Sequence, residues 1–277
     1  MLQAIAKRVG FRNVEFVYEP IAAAYHYEES ATREEIVLIA DIGGGTSDFT
    51  VLRIGPERRI LSDRTNDILA NAGVRVGGTD FDTLLSLDAV MPALGLGTQL
   101  IKKDLPLPRA VYFELATWAT INFAYTHRNE RQVHALVADS REPEKTSRLL
   151  RTLPNRLGHR IAFSVEDAKI ALSDRENVGI DLGFIEGGLV TDTTRAGFDR
   201  MIEQNTGRLF RTAATCIADA GLNPTDIQMI FFTGGSSRVP AVRAAVSRAA
   251  PEAQQATGSD LLFVALGLTR EAERRFK

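Results

Sequence analysis

The sequence predicts an α/β fold, and three observations carry that prediction. Short apolar runs of strand length, such as Ile36–Ala40 and Ile227–Phe232, alternate with longer stretches of helical period, such as Arg195–Ala220. Each of those two strand runs ends in a glycine cluster, Gly43-Gly44-Gly45 in one case and Gly234-Gly235 in the other. At 277 residues, with 44% hydrophobic and 25% charged residues, the chain can bury a sizeable core.

The stretch Ile36–Ile54, IVLIADIGGGTSDFTVLRI, organises the rest. A buried-type strand ends at Asp41, a triple glycine and Thr46 follow, and an alternating strand runs from Asp48, so the stretch reads as a β-hairpin. The three glycines can take positive φ, and successive N–H groups in such a turn can form a nest for an anion. Asp41, at the mouth of the strand, is placed to hold a hydrated Mg²⁺ beside that anion. The alternative is a tight turn that is simply rich in glycine.

Before the hairpin, Met1–Val9 reads as a helix stopped by Gly10, and Val14–Tyr18 as a short strand with nothing upstream to pair with. That unpaired strand suggests a fragment of something larger. Glu19-Pro20 opens an alanine-rich helix with proline in its first turn. After the hairpin, Arg58–Leu69 reads as a strand and connection, and Asn71-Ala72-Gly73 as a turn. Gly77-Gly78 precede a helix that Thr79 and Asp82 can cap, where a ligand could approach backbone donors. Simple capping is the alternative.

Met91–Pro108 reads as irregular, and Arg109–His127 as one helix burying Val111, Leu115, Trp118, Ile121 and Tyr125. Glu142–Leu157 is a more charged helix with Leu149, Leu150 and Leu153 inward. Ser164–Leu172 is another, with Ser164 and Asp167 fitting a capping box. Glu166, Lys169 and Ser173 share one face of it, as a surface ion pair or as a polar strip toward a ligand. Val178–Val190 reads as a hairpin about Gly187-Gly188, and Thr194 caps a helix Arg195–Ala220 ended by Gly221. The strand Ile227–Phe232 then runs through Thr233-Gly234-Gly235-Ser236-Ser237-Arg238 into a helix, aiming its start at an anion or sugar, with Arg238 able to lie flat on an aromatic base. Asp260–Lys277 closes the chain as a helix.

Several classes drop out. A net charge of −2 gives no footprint for nucleic acid, and no apolar run is long enough to span a membrane. Cys216 is a small core residue without a partner for a disulfide, which with the missing signal peptide predicts a cytoplasmic protein. His26, His127, His134 and His159 are scattered and read as structural or surface residues, and no CxxC, HExxH, GxSxG or P-loop pattern is present.

Taken in order, VYEPIAAA, ADIGGGTSDFTV, VGGTDFD, EDAKIALS and FFTGGSSRVP resemble the nucleotide-binding domain of the Hsp70 family, within the actin/hexokinase/Hsp70 superfamily. The middle stretch PRAVYFELATWATINFAY looks most like short YegD-type members. The resemblance implies lobe II of an actin-like ATPase (ribonuclease H-like) fold with a mainly helical cap. Residues 1–30 would be a remnant of lobe I with its crossing helix. Residues 31–77 and 190–257 would be the lobe II core, 78–189 the cap, and 258–277 a helix returning to lobe I. It implies ATP or ADP with Mg²⁺ as cofactors, and ATP hydrolysis coupled to lobe movement in a stress-response chaperone.

By motif position the resemblance makes Glu19 the carboxylate near the attacking water, Pro20 its coupling neighbour, and Asp41 the holder of Mg²⁺ through water. Gly43, Gly44, Gly45 and Thr46 would contact the phosphates, with Asp48 close by, and Thr46 would share the catalytic role. Gly77 and Gly78 would approach ribose or phosphate, and Glu166, Lys169 and Ser173 would bind ribose and adenine. Gly234, Gly235, Ser236 and Arg238 would complete the adenosine pocket, with Asp260 at its edge in GSDLLFVALG, which departs from the family pattern. The first phosphate-binding hairpin and the family's lysine are absent from this stretch, so weak binding and poor hydrolysis by the chain alone are expected. The implied partners are adenine nucleotide and either a missing lobe I or co-chaperone-like proteins. The alternatives are a small-molecule kinase of the same superfamily and a non-catalytic interaction module.

Overall fold

The computed structural model of the chain describes residues 1–28, 31–61, 64–102, 105–256 and 263–276. Asp260 and the side chain of His26 lie outside what is described. Five strands form the main sheet: β1 (Glu35–Ile42), β2 (Ser47–Ile54), β3 (Ile68–Val74), β6 (Met229–Thr233) and β7 (Gln254–Gln255), in the order β3-β2-β1-β6-β7. β1 runs antiparallel to β2 and parallel to β6, and β2 runs antiparallel to β3. β4 (Asn177–Asp181) and β5 (Val190–Thr194) form a separate antiparallel pair, the hairpin expected about Gly187-Gly188.

β1 is covered on both faces, which is why it reads as an unbroken apolar run. Leu38, Ala40 and Ile42 join Phe49, Val51, Ile230 and Phe232 in one core, which extends into the helices Glu203–Asp219 and Pro240–Ser247. Val37 and Ile39 join Leu52, Ile54 and Phe231 in a second core, under the helix Glu19–Glu28. The helix Phe263–Arg275 lies against Glu19–Glu28 so closely that a Cβ on Gly267 would overlap the carbonyl of Ala22. Cys216 is fully buried, and burial pushes its thiol up to about 11. Among the described residues no helix is long and apolar enough to cross a membrane.

Several expectations fail locally. Val14–Tyr18 forms no strand; among the described residues no strand lies beside it, and Glu15 instead pairs with Arg275. Asn71-Ala72-Gly73 is no turn but lies inside β3, with Gly73 opposite Asp48. A Cβ there would stand 2.8 Å from the Asp48 carboxylate, so close approach explains the glycine, and pairing with β2 outweighs its turn propensity.

The predicted helix Arg109–His127 breaks into Ala110–Ala116, a 3₁₀ turn Trp118–Thr120 and Ile121–Ala124, with Thr117 extended. The hydroxyl of Thr120 donates to the carbonyls of Glu114 and Thr117, a local bond that competes with the helical ladder. The break turns Trp118 outward, 48% exposed, against the edges of His159 and Phe163. Ser164 and Asp167 cap nothing, because their helix already starts at Gly158, whose N–H donates to the Tyr125 hydroxyl. Thr194 caps as expected, but that helix ends at Met201 and a second runs from Glu203 to Asp219. The charged helix is shorter than expected, Pro143–Thr152.

Candidate functional site

The site begins at the carboxyl ends of the two central parallel strands, where open α/β sheets commonly bind ligands. Strand register sets Asp41 opposite Asp48 on one side and opposite Thr233 on the other. Thr233 donates its hydroxyl to the Asp41 carboxylate. The helix Glu19–Glu28 starts at this mouth, so Glu19 joins the two aspartates. The three carboxylates line a cavity of about 390 Å³ together with Tyr18, Asn71 and Thr233.

Their electrostatics follow from that crowding. Burial raises the Glu19 carboxyl, and the charges of Asp41 and Asp48 raise it further. Burial also raises Asp41 and the charge of Asp48 adds to it, partly offset by the Thr233 hydrogen bond. Such a group of like charges fits a divalent cation that would offset their repulsion. Among the described residues no three acidic, histidine or cysteine side chains are spaced to ligate a metal directly, so the fit is to a hydrated ion.

Beside this cavity the glycine bends are stitched together. The N–H of Gly78 donates to the Gly43 carbonyl at 3.0 Å and that of Thr79 to the Gly44 carbonyl at 2.7 Å, with the Thr79 hydroxyl on the same carbonyl at 2.8 Å. The buried Ser236 hydroxyl donates to the Gly43 carbonyl at 3.1 Å, which ties in the third bend. A Cβ on Gly77 would stand 2.6 Å from the Gly44 backbone, and one on Gly78 would overlap the Ser236 hydroxyl. Gly234 has φ of +78°, and a Cβ on it would overlap the Ile42 carbonyl. These glycines are there so that three chain segments can touch.

The first donors of the helix Gly78–Leu85 are therefore spent inside the protein. The N–H of Gly77 goes to the Asp80 carboxylate at 2.8 Å, so Gly77 and Asp80 cap the helix and the expected Thr79/Asp82 pair does not. Asp82 instead holds Lys169, whose ammonium lies 2.8 and 2.9 Å from the two carboxylate oxygens and 3.5 Å from the Gly78 carbonyl. Burial raises Asp82, and Lys169 opposes that rise.

Gly44 and Gly45 behave differently. Neither takes a left-handed φ, a Cβ on either would meet nothing within 4 Å, and both are exposed. Among the described residues no acceptor faces either N–H. Thr46 is also exposed, and its carbonyl accepts the Gly43 N–H at 3.0 Å. The expected positive φ is thus not what these glycines supply.

A second cavity, of about 270 Å³, is lined by Lys169, Ile170, Ser173, Gly235, Arg238 and Val239. Glu166 stays exposed on the same helix as Lys169 and lines neither cavity. Ile170, Asn71 and Tyr18 were not among the site residues expected from the sequence. Thr233 was legible only in strand register, since its motif position says nothing of its pairing with Asp41.

Two comparisons bear on this arrangement. Residues 140–267 match the family model described as Hsp70 protein. The chain is similar to the chaperone protein HscA of Pectobacterium carotovorum, 27% identical over 239 residues that cover 86% of this chain and 28% of the relative. It is similar at 27% and 26% identity over the same span to those of Pectobacterium atrosepticum and Salmonella newport. The chain therefore spans about 28% of the length of the curated relatives it matches. The family match and these relatives together support an Hsp70-family relationship, in a mixed α/β fold consistent with that family's.

Proposed function

We propose that this chain forms one wall of an ATP·Mg²⁺ site of the Hsp70 type, in a short YegD-type chaperone whose nucleotide state sets lobe position. The observation that carries the reading is the exposed pair Gly44-Gly45, which nothing in the fold requires to be glycine. It lies in the turn between Asp41 and Asp48, which line the carboxylate cavity, and the adjoining Gly43 is hydrogen-bonded to Ser236, next to Gly235 of the cavity bearing Lys169 and Arg238. Free backbone donors and absent side chains suit phosphate oxygens that must come close to the main chain.

On this reading the N–H groups of Gly44 and Gly45 hold phosphate, and Thr46 stands beside them. Asp41 orients the hydrated cation, Asp48 adds negative charge, and Glu19 orients water beside them. Bound Mg²⁺ would supply charge neutralisation at the phosphates. Lys169, Ser173, Gly235 and Arg238 hold the adenosine, with Glu166 on the same helix as Lys169. Gly77, Gly78, Gly234 and Ser236 keep the bends in contact. Residues 31–77 and 190–257 form the core of this lobe and 78–189 its cap, and the protein works in the cytoplasm.

Calorimetric titration with Mg·ATP and Mg·ADP tests the reading, with phosphate release measured alongside. Binding with Kd on the order of 10–100 μM and slow turnover is expected of one wall acting alone. No binding at millimolar nucleotide would overturn the nucleotide reading in favour of an interaction module. Transfer of phosphate to a sugar would favour the kinase.

A further inference from the structure

Resting on the nucleotide reading above, we infer that Thr233 is a positioning residue of the site: its buried hydroxyl fixes the Asp41 carboxylate in the orientation that receives the hydrated cation. β6 is buried along its whole length; Met229, Ile230, Phe231 and Phe232 are apolar, and Thr233, 4% exposed, closes that run. Valine has nearly the same shape, so packing alone does not call for a hydroxyl at this place. A buried hydroxyl is costly unless it is hydrogen-bonded. The structure gives it the Asp41 carboxylate as acceptor, and both residues line the carboxylate cavity.

Strand geometry makes the pair. Side chains alternate across the sheet, so Asp41 follows Val37 and Ile39 on one face, and Thr233 follows Met229 and Phe231 on the same face. Parallel register sets Asp41 beside Thr233, and antiparallel register sets it beside Asp48 on its other flank. Like charge on Asp48 drives the Asp41 carboxylate away, and the Thr233 hydroxyl holds it in place. Gly234 completes the fit: a Cβ there would stand 2.7 Å from Asp41 Oδ1, so the carboxylate lies in space that only glycine leaves free. A hydrated cation held through a carboxylate binds best when that carboxylate is already oriented, because ordering it on binding costs affinity. One hydroxyl uses one of the roughly four lone-pair directions of a carboxylate and leaves the others for the water of the cation.

The test is calorimetric, on the full chain, with Mg·ADP and with ADP in EDTA as the two probes. Thr233→Val removes the hydroxyl and keeps the shape; it should weaken Mg·ADP about tenfold and leave metal-free ADP unchanged. Thr233→Ser keeps the hydroxyl and should bring Mg·ADP back to within about threefold of the parent. Thr233→Ala removes the same hydroxyl and takes the place of the valine variant should that one not fold. A valine variant that binds Mg·ADP as tightly as the parent overturns the assignment. So does an equal loss of both probes, which marks a structural role, and so does a serine variant as weak as the valine one, which marks the methyl group. If the parent binds both probes equally, the positioning role is overturned while the nucleotide site stands. If the parent binds neither, the nucleotide reading falls and the positioning role with it.

Discussion

At Gly77 a methyl group would stand 2.6 Å from the backbone of Gly44, whereas at Gly235 it would meet nothing. Glycines that look alike in the sequence thus divide into those the fold needs and those it leaves open. Gly77→Ala should lower stability by about 1–3 kcal/mol, because two backbones must separate. Gly235→Val should leave stability within about 0.5 kcal/mol and yet abolish nucleotide binding, because the branched side chain fills the cavity entrance. Urea unfolding and calorimetry on both variants check the pair, and a strongly destabilised Gly235→Val would sink the distinction. Sequence reasoning marked all of these positions. It could not sort them, because the neighbour that would collide is far away along the chain.

The helix Glu19–Glu28 shows how one element serves the site. Its first residue enters the carboxylate cavity, and its last is fixed deep in the protein. Arg64, 4% exposed, donates to both oxygens of Glu28 at 2.9 Å and to Asp67, while the Gly55 N–H reaches Glu28 at 2.9 Å. Removing one member of such a buried set leaves uncompensated charge, whatever the intact set contributes. Arg64→Met should therefore cost about 3–5 kcal/mol in urea unfolding, and a loss below about 1 kcal/mol would show that Glu28 and Asp67 find other partners. None of this was legible beforehand, since a lone Glu, Arg and Asp spread over 40 residues carry no periodic signal. The broken helix at Thr117 was hidden for a related reason: the apolar spacing from Val111 to Tyr125 is helical, and the competing bonds of the Thr120 hydroxyl to Glu114 and Thr117 leave no periodic signal.

Across the whole molecule, the sheet and the helix bring Glu19, Asp41 and Asp48 to one mouth, and their pH dependence belongs to the assembly. Both Glu19 and Asp41 are raised in the folded state, so the folded protein holds their protons more tightly than the unfolded chain does. Stability should therefore fall as pH rises from the ordinary carboxylate range through the raised values. Asp41→Asn should stabilise the protein at pH 7, and the gain should vanish below the ordinary carboxylate range. Denaturant unfolding across pH checks this; a variant less stable than the parent at pH 7 would show that the Thr233 bond outweighs the repulsion.

The sequence by itself determined the central hairpin, the strand leading to Gly234-Gly235, the helix that begins at Glu19 and the existence of a helix after Gly77, though not its cap. Each of these rests on interactions within a few residues: apolar period, turn residues and proline position. Tertiary structure alone decided which glycines touch, that Lys169 answers to Asp82 rather than Glu166, and that Gly73 belongs to a strand. Those outcomes depend on contacts between segments 25 to 193 residues apart in the chain, such as Ser236 against Gly43, and local propensity carries no record of them.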